Sequence, residues 1–214
     1  MNTVIIAKNK YIFKDKIYED NEIDSILNKC SKKIRVIITE ENLLIKICEK
    51  VELNSEEAIE KNILSNLIID EDTLVDYKVD KKLKRIYVYS VKQGIKVSKI
   101  LLKAEKMLVE PIQYILINIL KKKFRCKNSY KALVKINNHI YFICVENNNL
   151  IYSKTIEEKE EGLNKLIQED LIKGKLLVDI NLKQVIENIF ENKVVDNINF
   201  INLKEKVEHE ISKV

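Results

Sequence analysis

The stretch YKALVKINNHIYFICVENNNLIYSKTI, Tyr130 to Ile156, decides the fold. Ala132, Val134 and Ile136 alternate with Leu133 and Lys135, and Ile140, Phe142 and Cys144 alternate with Tyr141, Ile143 and Val145. Leu150 to Ile156 begins a third run. A period of two belongs to a strand, whose successive side chains point to opposite faces. The breaks fall at Asn137-Asn138 and Asn147-Asn148-Asn149. Asparagine tolerates the left-handed backbone that short hairpin turns require, so the stretch predicts a locally paired antiparallel meander.

Around this meander the chain has 214 residues, 46% of them hydrophobic, which is enough to bury a core. The net charge of +5 is spread as interleaved Lys and Glu, the pattern of solvated helix faces, and argues against a nucleic-acid-binding surface. The densest basic run, Lys121-Lys122-Lys123-Phe124-Arg125-Cys126-Lys127, follows an apolar segment and suits the negative end of a helix dipole. Cys30, Cys48, Cys126 and Cys144 have no CxxC spacing, so neither a zinc site nor a disulfide framework is expected. The apolar stretch Ile112 to Leu120 is far shorter than the ~20 residues that span a bilayer. With no signal-peptide pattern, the expectation is a soluble, cytosolic chain.

In chain order, Thr3 to Ile17 reads as an opening hairpin across Lys8-Asn9-Lys10 and Glu22 to Cys30 as a short helix with Ile23, Ile26 and Leu27 inward. Ile34 to Val51 reads as a second pair of strands in the same sheet. Asn54 and Glu57 form a capping box for a helix from Ser55 to Leu67, with Ile59, Ile63 and Leu67 on one face. Strands follow at Leu74–Val79 and Lys84–Val91, then a helix from Gly94 to Leu108 with Val97, Leu101, Ala104 and Leu108 inward. Pro111 suits the first turn of the next helix. Past the meander, Thr155 and Glu158 read as a capping box, Gly174 as a helix C-cap, Lys175–Ile180 as a strand and Asn181 as the cap of a last helix. No sequence repeat is evident. The expected division is an N-terminal α/β lobe at 1–123, a smaller one at 124–195, and a tail at 196–214.

No constellation carries catalysis. Gly94, Gly162 and Gly174 make neither a P-loop nor a dinucleotide fingerprint. His139 and His209 stand far apart and read as structural or surface residues. The acids Asp70, Glu71 and Asp72, and Glu157, Glu158, Glu160 and Glu161, read as loop and helix-start residues rather than metal ligands.

The order of elements resembles the actin-like cytoplasmic scaffolds of type IV pilus and type II secretion machines, the PilM and GspL families. Ile34 to Leu53 resembles that family's paired strands, and Leu74-Val75-Asp76-Tyr77 its Asp-Tyr strand. Arg85 to Pro111 is similar to its strand and helix closing in a Gly-Leu-x-Pro turn, here Leu108-Val109-Glu110-Pro111 with the glycine lost. Tyr130 to Ile156 resembles the second-lobe hairpin. In actin-like ATPases that hairpin grips phosphate through an Asp-x-Gly turn, whereas Lys135-Ile136-Asn137-Asn138-His139 has neither residue. The opening turn, Ala7-Lys8-Asn9-Lys10, likewise lacks the Asp/Asn-x-Gly of nucleotide-binding relatives.

The resemblance implies an α/β, actin-like (ribonuclease H-like) two-lobe scaffold, reduced and with mixed sheets, without catalytic, cofactor-binding or metal residues. Its function would be to dock a PilN-like segment and couple the inner-membrane platform of PilN/PilO-like proteins to the pilus assembly ATPase, at the inner face of the cell membrane. Phe200-Ile201-Asn202-Leu203 looks like the start of PilN, as in a PilM–PilN fusion continuing into a membrane helix, and is expected to be the partner-binding segment, with Phe200, Ile201 and Leu203 packing in a groove of the same molecule or a neighbour. Self-association is a further possibility. The alternatives are an actin-like ATP-binding protein and a basic nucleic-acid-binding module.

Overall fold

Alternating residues at the amino terminus make three strands, β1 (Asn2–Ala7), β2 (Lys10–Phe13) and β3 (Lys16–Tyr18), paired antiparallel. The turn between β2 and β3 is Lys14-Asp15, both at positive φ (50° and 62°), the backbone hand of a two-residue hairpin. This computed structural model describes residues 1–49, 55–67, 69–124, 128–168, 175–189 and 198–212. Asn54 and Gly174, which the sequence nominates as caps, lie outside them. The chain divides into two units, Met1–Ile112 and Gln113–Lys213.

In the first unit α1 (Ile23–Leu27) buries Ile23, Ile26 and Leu27 as the spacing predicts. β4 (Lys33–Ile38) then returns parallel to β1, setting Val4 beside Val36 and Ile6 beside Ile38, all four essentially inaccessible. β5 (Leu44–Glu49) does not pair with β4, which corrects the expectation of a joint sheet. After Glu40, at φ 64°, the chain leaves for a separate antiparallel sheet of order β5-β7-β6, made with β6 (Thr73–Asp80) and β7 (Arg85–Lys92). The free side of β4 is taken by β8 (Lys106–Pro111), in parallel. The larger sheet is therefore β3-β2-β1-β4-β8.

α2 (Glu56–Asn66) lies on the small sheet, where Ile63 joins Cys48, Ile86 and Val88 in a core flanked by Ile59, Leu67 and Val79. Its observed cap is Ser55, whose Oγ accepts from Ala58 N at 3.1 Å. α3 (Gly94–Leu101) ends seven residues before its expected limit. It buries Lys96, Val97 and Ile100, leaving Leu101 exposed, and Leu108 lies on β8. Local pattern favoured continued helix, but parallel pairing with β4 claims 106–111 as strand. Pro111 ends β8 at the sheet edge, where its missing N–H costs no ladder bond, and α4 (Ile112–Phe124) starts at the next residue.

α4, placed in the first lobe by the sequence reading, clusters with the second unit from Gln113 onward. The meander is β9 (Tyr130–Ile136), β10 (His139–Glu146) and β11 (Asn149–Glu157), antiparallel as predicted. Asn137, Asn147 and Asn148 have φ of 51°, 48° and 64°. Thr155 is a buried residue inside β11 rather than a helix cap, because that strand runs on to Glu157. α5 (Glu160–Gln168), β12 (Leu176–Asp179) and α6 (Lys183–Ile189) follow. β12 joins β9 in parallel, and β13 (Ile198–Ile201) joins β12 in parallel, ahead of α7 (Lys204–Ser212). The expected tail is thus part of the second unit. Leu133, Ile140, Phe142, Leu163, Leu166, Val178 and Ile186 share its core.

The second sheet has the order β11-β10-β9-β12-β13. Both large sheets therefore run third, second, first, fourth and fifth strand, a structural repeat with no counterpart in the amino-acid sequence. The fold is α/β with mixed sheets, as the sequence reading expected.

Candidate functional site

Ligands of open α/β sheets bind outside the carboxyl ends of parallel strands. In the first unit those ends are Ala7, Ile38 and Pro111. Above Ala7, the turn into β2 is held by a lysine from α3. Lys96 is 7% exposed, and its ammonium donates to the carbonyls of Ala7 at 3.2 Å and Lys8 at 2.9 Å. It stands 3.5 Å from Asp20 Oδ1 and 5.4 Å from the centroid of the Tyr11 ring. Burial, and then the charge of Asp20, push the Tyr11 phenol up to about 12. The phenolic oxygen is itself buried without a hydrogen-bond partner among the described residues.

The rest of this edge is closed by the chain's own polar groups. Thr39 donates through N and Oγ1 to the Ile6 carbonyl at 2.8 and 3.2 Å. Glu40 Oε2 accepts from Lys8 N at 3.4 Å, and the Gln93 amide donates to Glu41 Oε1 at 2.6 Å. A helix amino terminus is a ready anion site, but that of α3 already holds Asp72. Gly94 N donates to the Asp72 carbonyl at 2.9 Å and Ile95 N to its Oδ1 at 3.1 Å. The approach is so close that a Cβ on Gly94 would stand 3.0 Å from the Asp72 carbonyl carbon.

In the second unit the strand ends are Ile136, Asp179 and Ile201. Asp179 is fully buried, and its Oδ1 accepts from Asn181 N at 3.1 Å and Asn181 Nδ2 at 2.9 Å. No described residue donates a well-formed hydrogen bond to Oδ2. Burial raises this carboxyl above its ordinary range, against the opposing pull of Asn181 and Lys135. The Asn137-Asn138 turn is fastened from outside: Glu158 N donates to the Asn138 carbonyl at 2.8 Å, and Lys135 pairs with Glu158 at 2.5 Å.

Chemically, the first turn offers carbonyls to a cation and receives one from Lys96. A phosphate needs backbone N–H groups on a turn that admits close approach, and the residues of these two hairpins do not fit one. Neither Lys96 nor Asp179 belongs to a recognisable motif. The available signals are one lysine on the buried stripe of α3 and one acid closing the apolar run Leu176-Leu177-Val178.

The sequence-nominated residues are dispersed. Asp70 accepts from the Lys92 ammonium and the Thr73 hydroxyl, and these hold its carboxyl below the usual range. Glu157 pairs with Lys159 at 2.7 Å. His139 opens β10, and His209 is exposed on α7. Among the described residues no cluster of three metal-ligating side chains occurs, and no helix is long and apolar enough to cross a membrane. In the segment Phe200–Leu203, Phe200 is half-buried with the Lys183 ammonium 5.6 Å over its ring. Ile201 and Leu203 are buried and Asn202 is exposed.

No family model matches the sequence, and no characterised protein matches it at sequence level. Solved structures match it in fold. One is a Bacteroides thetaiotaomicron VPI-5482 protein of actin-like ATPase fold and unknown function, with a TM-score of 0.59 and 11% identity over 100% of this chain and 95% of that one. Another is a chain of a PilM–PilN type IV pilus biogenesis complex, with a TM-score of 0.53 and 8% identity over 91% of this chain and 77% of that one. At such identities the likeness is one of fold, and it agrees with the doubled strand order: the chain has the actin-like ATPase fold.

Proposed function

We propose that this protein is a non-catalytic scaffold of type IV pilus assembly, working at the cytoplasmic face of the inner membrane. In this reading it docks a PilN-like amino-terminal segment and links a PilN/PilO-like platform to the assembly ATPase. One observation carries the non-catalytic half: the Lys96 ammonium sits on the Ala7 and Lys8 carbonyls, in the hairpin that would otherwise cradle phosphate. The partner half is supported by the structural likeness to a chain of the PilM–PilN complex. The chain's own Phe200–Leu203 forms β13 and the entry to α7, and the docked segment in this reading is that of a separate partner.

Calorimetric titration of the full chain tests both halves, once with ATP·Mg and once with the cytoplasmic amino-terminal peptide of a PilN-like protein from the same genome. Saturable binding of the peptide with no heat from nucleotide is the expected result. Saturable ATP·Mg binding accompanied by thermal stabilisation would overturn the non-catalytic reading in favour of an actin-like ATP-binding protein. Absence of peptide binding by the folded chain would remove the pilus partner.

A further inference from the structure

β6 is an edge of the small sheet, and among the described residues no strand pairs with its outer side. Its two ends are fastened: Asp80 Oδ1 accepts from Lys82 N and Leu83 N, each at 3.0 Å, and Thr73 bonds Asp70. Between them Val75, Asp76, Tyr77 and Lys78 are all exposed, Val75 at 36% and Tyr77 at 38%. Tyr77 N donates to Asp76 Oδ1 at 2.8 Å, so this N–H points away from the ladder with β7. By the alternation of an antiparallel ladder, the backbone groups of Val75 and Val79 point the same way.

We propose that β6 is a self-association surface, on which a second copy of this chain adds its own β6 in antiparallel register about a two-fold axis at Tyr77. That register sets Tyr77 against Tyr77 and Val75 against Val79, with the outward backbone groups of all three in hydrogen-bonded positions. It sets Asp76 against Lys78 twice, in the non-hydrogen-bonded pairs where cross-strand side chains stand closest. Upon pairing, the Tyr77 N–H passes from the Asp76 carboxylate to the partner's backbone, and Asp76 turns to the facing lysine. In isolation the same carboxylate guards the edge, a common protection of exposed strands.

The faces agree as well. Val75, Tyr77 and Val79 lie opposite Ser90, Val88 and Ile86, and the last two belong to the core under α2. A two-fold axis normal to the sheet keeps both α2 helices on one face, so apolar side chains of both copies meet beside them. The occupant is a second copy because the charge order of the strand is complementary to its own reverse. This inference is independent of the proposed pilus role.

Sedimentation equilibrium of the full chain over about 1 µM to 1 mM, the range of a small transient interface, tests it. The parent is expected to dimerise. Asp76→Lys alone and Lys78→Asp alone each place like charges opposite one another twice and should weaken the dimer on the order of tenfold. An equimolar mixture of the two variants should recover parental affinity as a heterodimer, which misfolding of either would not imitate. A parent that stays monomeric throughout, or a dimer that neither reversal weakens, would overturn the proposal.

Discussion

The Lys96 ammonium donates to the Lys8 carbonyl at 2.9 Å, so an internal cation sits on the turn of the first hairpin. The bond joins α3 to the end of β1 across 88 residues of sequence.

Lys96→Met should therefore destabilise the first unit. It keeps the aliphatic bulk but leaves two inward carbonyls without their charged donor, a loss of roughly 2–4 kcal/mol for buried charge-assisted bonds. The ion pair with half-exposed Asp20 adds little to this. Urea unfolding should show a lower midpoint at an unchanged slope. An unchanged midpoint would mean that the lysine is replaceable packing.

Asp179 makes stability depend on pH in a defined direction. Its folded carboxyl lies above the ordinary value of 3.8 because burial disfavours the charge. Between the ordinary and the raised values the folded chain binds more protons than the unfolded one. Its contribution therefore declines as pH rises through that window and stays low above it. Asp179→Asn keeps an acceptor for Asn181 and removes the charge, so the variant should gain on the parent as pH rises from about 4 to neutrality. Urea midpoints at a series of pH values measure this, and a constant difference would refute it.

Gly94→Ala should cost about 1–3 kcal/mol, the usual penalty for overpacking. The added methyl meets backbone, the Asp72 carbonyl carbon at 3.0 Å and the Glu71 oxygen at 3.1 Å, which yields less readily than a side chain. Thermal unfolding by circular dichroism reads the loss, which a shift of the 70–72 loop would reduce.

Ending the chain at residue 195 should unravel the second sheet, because it removes β13 and α7 and strips β12 of its outer neighbour. A peptide covering residues 196–212 should restore ordered structure in trans, since parallel pairing with Leu176–Asp179 and burial of Ile201 and Leu203 supply its binding. Hydrogen exchange across 130–145 is the readout. The peptide carrying both Ile201→Ala and Leu203→Ala should fail, and equal rescue by both would show that burial of these two residues contributes nothing.

Much of the candidate site escaped the sequence because it is made by side chains acting outside their usual roles. In the sequence Lys96 is one lysine among many, and only the packing of α3 shows it to be inside. Asp179 had no motif around it. By contrast, the loss of glycine from the two hairpin turns could be read directly, because the backbone needs of a phosphate-binding turn are local.

The same distinction governs the fold. By itself the sequence determined the meander, since alternation and turn asparagines set strand, turn and antiparallel hairpin within a few residues of one another. It also determined the inward face of α1 and the small helix of 56–66, where spacing alone selects the buried stripe. Only the tertiary structure decided that β4 lies between β1 and β8 rather than beside β5, that α3 stops at Leu101, and that 198–201 is a fifth strand. Each depends on parallel pairing between segments far apart in the chain, whose hydrogen bonds are backbone to backbone and leave no periodic mark to name the partner.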